Sequence, residues 1–366
     1  MLIATPGTRA VLRHVMLRTA LLTLLLALVA AAPAGAAVPR HWLGVAADGA
    51  LLEQPDQHAG EWSRIASSGA STVRVAFYWR QGQPLGPGAV DFSSYDAPVL
   101  AAAQHGLGVL PVVFATPVWA RHDAGLEASP PRDPADYARF LEALVARYGP
   151  NGSLWDEHPE LRARPIRAWQ IWNEPNLTGY WSPQPFAEAY VKLLKDARRA
   201  LRSADPGAKA ILAGLPNGWA PLRRIYRAGG RRAFDAVAIH PYTARPGRVP
   251  RFLREVRKVM RRFGDRRKPL WVTELSWPAA KGRARDPIGI ATDDRGQARR
   301  LRVGMTALAK VRRRLRVARV YWYTWLSTES SDSVFAWSGL RRVHDGEVIS
   351  TPALRAFRRT ARRIRR

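Results

Sequence analysis

The chain contains no cysteine. That excludes a disulfide framework, thiolate-held metal and thiol nucleophiles, so the fold must rest on core packing alone. Long apolar runs are also scarce. The most prominent, "TALLTLLLALVAAA", is about 14 residues against the roughly 20 a membrane helix needs. It follows Arg9, Arg13 and Arg18 and precedes the small residues of "PAGAAV". Basic, apolar and small-residue regions in that order make a secretory signal peptide, assigned to residues 1–37. Retention as an anchor is the rival reading. No later segment is apolar enough to cross a bilayer, so residues 38–366 are expected to be secreted or extracytoplasmic, with no membrane span after cleavage.

Acidic residues are in short supply too, 29 against 58 basic ones, for a formal charge of +29. Such a field favours anionic partners. Yet "RRLRVGMTALAKVRRRLR" and "RAFRRTARRIRR" set arginines among apolar residues at helical spacing, as amphipathic surface helices do. Contact with anionic polymers through these basic helices is therefore a secondary expectation. No specific nucleic-acid motif is found. A Gly-rich phosphate turn, an HExxH pair and clustered aspartates are likewise missing, and the eight histidines are scattered. No metal and no cofactor are expected.

What the chain does have is 47% hydrophobic residues over 366 positions, arranged as short β-rich runs alternating with amphipathic stretches. Eight strands are predicted: 41–47, 72–79, 107–114, 167–173, 209–215, 234–240, 269–275 and 316–325. "DPADYARFLEALVARYG" shows how the helices read. Asp133 is a predicted N-cap and Pro134 the first helical residue, with Tyr137, Phe140, Leu141, Leu144 and Tyr148 on one face. Eight βα units in a chain of this length predict an α/β fold, a single-domain (β/α)8 TIM barrel. An open doubly wound sheet is the alternative. Loops after strands are long and most loops before them short, which puts the elaboration on the C-terminal rim, where barrel active sites lie. "GPNGSLWDEHPELRARP" is the exception, a long segment on the opposite rim with no function read from it.

The fourth strand ends in "IWNEPN" and the seventh in "WVTELSW". On a closed barrel Glu174 and Glu274 then project at one rim from opposite sides of the cavity. Two carboxylates across a cleft suit glycoside hydrolysis, one protonating the leaving oxygen and the other attacking the anomeric carbon or activating water. Pro175 stops the fourth strand there, which explains why an apolar run delivers polar groups at its tip. With "IHPY" at the end of the sixth strand, these motifs resemble the clan-A retaining glycoside hydrolases over essentially the whole mature chain. The "ATPVWA" loop is most similar to family 39 and related family 5 enzymes.

The resemblance implies Glu174 as acid/base, Glu274 as nucleophile and Asn173 as a hydrogen-bond partner of the sugar 2-hydroxyl. It implies Tyr242 and His240 beside the nucleophile and Arg74 near it on the second strand. Trp325 matches an aromatic platform for the sugar, with Trp79, Trp119 and Trp181 as further candidates; core packing is the rival role for these tryptophans. The third strand lacks the histidine that typical family 5 members place there, which argues against cellulase-like specificity. The function expected is a secreted retaining glycosidase acting on a β-linked oligo- or polysaccharide. A non-catalytic carbohydrate- or polyanion-binding barrel and a transglycosylase on the same site are the alternatives.

Overall fold

The computed structural model describes residues 37–366 except Asn217; apart from Ala37, the predicted leader lies outside the described residues. Parallel strands β1 (Leu43–Ala47), β2 (Thr72–Tyr78), β3 (Gly108–Phe114), β4 (Ala168–Ile171), β5 (Lys209–Ile211), β6 (Leu215–Pro216), β7 (Val237–His240), β8 (Leu270–Val272) and β9 (Val317–Trp322) form one sheet. β1 pairs with both β2 and β9. β5 and β6 are two pieces of the predicted fifth strand: the first pairs with β4 and the second with β7. Parallel bridges Asn173↔Gly214 and Ile211↔Ala236 close the ring between them. The result is the (β/α)8 barrel, with eight strand positions and one of them broken.

The break has a steric cause. A Cβ on Gly214 would fall 1.9 Å from Nε2 of His240, so only glycine lets that imidazole lie against the fifth strand position.

Alternation along the strands then sets what faces inward. The lower interior is filled by Leu110, Ile211, Ala236, Ala238, Trp271 and Tyr321, with Ala168 against them. Two residues further along the same rows come Arg74 above Thr72, Gln170 above Ala168, His240 above Ala238, Thr273 above Trp271 and Tyr323 above Tyr321. The apolar plug thus gives way to a polar layer toward the C-terminal rim.

Helices pack outside. Pro134–Tyr148 begins as predicted: the Asp133 side chain accepts from the Ala135 amide at 2.9 Å, and all five residues of its expected apolar face are buried. After β9 the chain adds a three-stranded sheet, β10 (Leu326–Thr328), β11 (Arg341–His344) and β12 (Glu347–Ser350), where only a long loop was expected. Its signal was present in "RRVHDGEVIS". Asp345 and Gly346 both take positive φ, at 48° and 81°, as a two-residue hairpin turn requires.

Candidate active site

The polar layer is organised around Arg74. A guanidinium inside a barrel is tolerated only when its donors are satisfied. Here Nη1 meets Oε1 of Glu274 at 2.7 Å, Nη2 donates to Oδ1 of Asn173 at 2.9 Å and Nε donates to Oε1 of Gln170 at 3.1 Å. Because the Asn173 carbonyl is turned to the arginine, its amide nitrogen is left to donate elsewhere.

Glu274 is held at both oxygens, since Tyr242 Oη donates to Oε2 at 2.8 Å. His240 bridges the pair: Nδ1 is 2.5 Å from Oε1 of Glu174 and 3.5 Å from Oε2 of Glu274. Nε2 of His240 lies 3.0 Å from Oγ1 of Thr273, which also accepts from the Gln170 amide at 3.4 Å. One oxygen from each glutamate and a ring nitrogen of His240 all lie within 4.8 Å of one another. Such a trio also offers metal-ligand chemistry, but both Glu274 oxygens are engaged and a second cation would be placed beside the guanidinium.

These contacts set the charges. Burial alone would raise the Glu274 pKa, but the His240 ring, the Arg74 guanidinium and the hydrogen bonds from Tyr242 and Arg74 outweigh it and hold the carboxyl below its ordinary value. Tyr242 moves the other way. Burial, then the charges of Glu274 and Glu174, push the phenol well above its ordinary range, so it remains a donor. Glu174 has a different setting, facing the His240 imidazole rather than a guanidinium, and it adopts a φ of 42° in the turn after β4. Positive φ for a non-glycine residue is uncommon, and such strain concentrates at functional sites.

The structure thus brings together Glu174, Glu274, Asn173, Arg74, His240 and Tyr242. The tryptophans fall elsewhere. Trp325 is fully buried, and its Nε1 donates to Oε2 of Glu61 at 2.9 Å, so it offers no face to a ligand. Strand alternation ends with β9 at Trp322, and the inward row of Tyr321 delivers Tyr323 to the rim instead. Asp48 and then burial push the Tyr323 phenol upward, with Glu274 adding to the effect. Its ring lies 5.8 Å from that of Phe335, which is 5.1 Å from Tyr242. Trp79 and Trp181 are core residues, and Trp119 is half-buried on the rim, edge-on to Trp79 at 5.7 Å with Nε1 donating to the Gln83 carbonyl.

An exposed tryptophan is found where none was expected. Trp219, 36% exposed, packs edge-on against Phe252 at 4.9 Å. With Tyr242, Thr243, Arg248, Arg251 and Glu255 it lines a cavity of about 550 Å³. Gln170, Thr273, Gly214, Asp48, Tyr323 and Trp219 are the residues that sequence reasoning missed. Gln170 and Thr273 carried a signal as polar residues at inward positions of apolar strands.

A (β/α)8 barrel with paired glutamates at the ends of its fourth and seventh strand positions, the second anchored by an arginine and the first by a histidine, is the architecture of a clan-A glycoside hydrolase. The sequence agrees: residues 151–345 match the glycosyl hydrolase catalytic core model, and the chain belongs to that family. It is also 30% identical over 125 residues to a β-xylosidase of Geobacillus stearothermophilus, covering 31% of this chain and 22% of that protein. Among solved structures, a family 39 glycoside hydrolase from Bacteroides cellulosilyticus superimposes with a TM-score of 0.67 at 20% identity, over 88% of this chain and 64% of that one. A family 5 subfamily 18 protein from Bifidobacterium longum, solved with Manβ1-4GlcNAc, gives 0.62 at 17% identity, over 88% and 78%. At those identities the structural likeness speaks for the fold. By family and fold the chain is a glycosyl hydrolase catalytic core, and it spans less than two thirds of the length of the β-xylosidase and of the family 39 enzyme.

Proposed function

We propose that this glycosidase cleaves a β-linked glycan with retention of configuration, with Glu274 as nucleophile and Glu174 as acid/base. The observation that carries the reading is the close pair itself. One oxygen of each lies within 4.8 Å of the other, which fits the roughly 5–5.5 Å carboxyl separation of retaining enzymes better than the gap of about 6.5–9.5 Å that inverting enzymes keep for a water.

The division of labour follows from the contacts. Glu274, kept ionised by His240 and Arg74 and oriented by Tyr242, attacks the anomeric carbon while Glu174 gives its proton to the departing glycosidic oxygen. A covalent glycosyl-enzyme and a free alcohol result. Glu174, now a carboxylate, takes a proton from water as that water displaces Glu274, and the starting protonation states return. His240 holds the Glu174 carboxyl in place through both steps by the contact of its Nδ1 with Oε1. Asn173, its carbonyl fixed by Arg74, directs its amide to the sugar 2-hydroxyl, a bond that strengthens as oxocarbenium character develops. The cavity walled by Tyr242 and Trp219 accommodates a further sugar, whose apolar face stacks on the indole.

The relative named a β-xylosidase makes aryl β-xylosides and β-glucosides the first substrates to try. Azide added to Glu274→Ala is expected to restore turnover and give an inverted glycosyl azide. Rescue of Glu174→Ala with a retained product would complete the assignment, and full activity in either unrescued variant would overturn it.

Residues 1–37 are proposed as a cleaved signal peptide that delivers the enzyme outside the cytoplasm. N-terminal sequencing of exported protein tests this; a start near Val38 is expected, and accumulation of the full-length chain in the cytoplasm would contradict it.

A further inference from the structure

The long segment on the N-terminal rim, residues 149–165, has no part in the catalytic site at the other end of the barrel. It turns through a short helix, Ser153–Glu157, and then supplies Arg162 and Arg164, with Arg167 following just before β4. These line a cavity of about 580 Å³ together with His41, Lys209, Arg319 and Trp271. Gly108, Ala168 and Lys209 are the first residues of their strands, so this is the floor of the barrel. Lys209, Trp271 and Arg319 are the lower ends of the same inward rows that carry Ile211, Thr273 and Tyr321 above.

The cavity's chemistry is one-sided. Five arginine and lysine side chains and a histidine line it, and no carboxylate stands among its described lining residues. Some of its donors also lack acceptors. The Trp271 indole N–H and Nε of Arg164 are buried with no hydrogen-bond partner. Trp271 is 94% buried by its 6% exposure, and the Arg319 guanidinium stacks 4.9 Å from its ring. Arg319 donates to the His41 carbonyl, and Arg167 has a distant carboxylate, Asp205, at 3.7 Å. Arg162 makes no ion pair among the described residues. Crowding of like charge acts on His41 too: burial, then Arg319, Arg40 and Arg164, push its imidazole below its ordinary value.

Buried donors without acceptors are expensive, and like charges gathered without counter-charges repel. Both are relieved by one kind of ligand. We infer that the N-terminal face of the barrel is an anion-binding site for phosphate groups, in which Arg162, Arg164, Arg167, Lys209 and Arg319 surround the ligand and Trp271 and His41 flank it. Phosphate is favoured over carboxylate because five cations call for more than one negative charge per ligand, and guanidinium forks match its oxygens two at a time. The volume accommodates more than one phosphate, so the ligand is a pyrophosphate-like group or a length of phosphate-bearing polymer. Lying at the opposite end of the barrel from Glu174 and Glu274, the site serves to hold the enzyme at a phosphate-rich surface rather than to take part in hydrolysis, and it does not depend on the proposed mechanism.

The test is isothermal titration of the mature protein with pyrophosphate and, separately, with linear polyphosphate, at constant ionic strength. Arg162→Ala/Arg164→Ala is compared with Arg299→Ala/Arg302→Ala, which removes two exposed arginines from the helix Asp294–Leu315. The first variant is expected to weaken binding at least ~10-fold, as loss of charge-assisted hydrogen bonds does, and the second less than about 2-fold, with hydrolysis rates and thermal unfolding unchanged in both. Binding of pyrophosphate identifies a compact site; binding of polyphosphate alone identifies an extended polymer, and either supports the inference. Equal weakening by the two variants would reduce the effect to the net charge of the surface, and binding of neither ligand, or no loss in the first variant, would overturn the site. Because arginine removal could disturb the loop, wild-type His41 supplies a second reading: its NMR titration should move to higher pH when pyrophosphate is bound, and an unmoved His41 counts against the inference.

Discussion

Two buried carboxylates in this barrel are each held by an arginine, yet one stands alone in the framework and the other stands beside a second carboxylate. Glu61, on the helix Gly60–Ser68, meets Arg341 at 2.7 Å and accepts from the Trp325 indole at 2.9 Å, tying the first helical layer to the added sheet after β9. Glu274 meets Arg74 at the same 2.7 Å and accepts from Tyr242 at 2.8 Å. The contacts are alike in kind and length. What differs is the company. Glu274 shares its arginine with Asn173 and its histidine with a second carboxylate, Glu174, at the C-terminal rim of the barrel. No second carboxylate stands beside Glu61 in the described contacts. An isolated ion pair makes a joint; an ion pair with a rival carboxylate nearby sets two acids side by side.

The comparison can be broken by removing each carboxylate in turn. Glu274→Ala is expected to lower kcat by at least about 10⁴-fold, the scale of losing a nucleophile, while far-UV circular dichroism stays that of the wild type. Glu174→Ala should lose roughly 10²–10⁴-fold, the range of general acid–base catalysis, with less loss on substrates whose leaving group needs no proton. Glu61→Gln inverts the pattern. Leaving Arg341 buried and unpaired destabilises the fold by about 3–5 kcal/mol, read in a denaturant titration, while the kcat of the folded fraction is retained.

Arg74→Gln sharpens the distinction through pH. The Glu274 carboxyl is held below its ordinary value of 4.5, so its contribution to stability is complete above that value and fades as pH falls through the lower folded value. Its activity follows the same ionisation. Without the guanidinium its pKa rises, the acid limb of the kcat/KM profile moves to higher pH, and kcat drops roughly 10–10²-fold for one lost charged contact; an acid limb that stays in place would show that Arg74 does not set the charge of Glu274. The smallest effect belongs to the outer cleft. Trp219→Ala should raise KM for longer substrates by about 10-fold, in line with about 1.5 kcal/mol of stacking, and leave kcat on a simple aryl glycoside unchanged.

Much of this was legible in the chain. The strands could be counted because buried parallel strands are apolar runs, and the carboxylates stood out because each interrupts such a run at its end. Arg74, His240 and Tyr242 were legible by resemblance and joined the pair in space. Trp325 was misplaced because the period-2 row of Tyr321 and Tyr323 reaches it on paper, whereas β9 ends at Trp322 and the chain beyond it turns this indole into the core against Glu61. The split fifth strand was hidden for another reason: "KAILAGL" reads as one apolar run, and only the imidazole of His240, distant in sequence, explains why Gly214 interrupts it. The added sheet was masked by its polar loop, although its Asp-Gly turn was in view. Trp219 had no sequence signal beyond being a tryptophan in a helix.

The central claim is that Glu274 forms a bond to the sugar. Proton NMR of the first product released from an aryl β-glycoside, read before mutarotation, tests it most directly. The account predicts that the β-anomer appears first and the α-anomer grows in later. Initial release of the α-anomer would mean that water attacks the sugar directly, and that the close pair of glutamates does not work by double displacement.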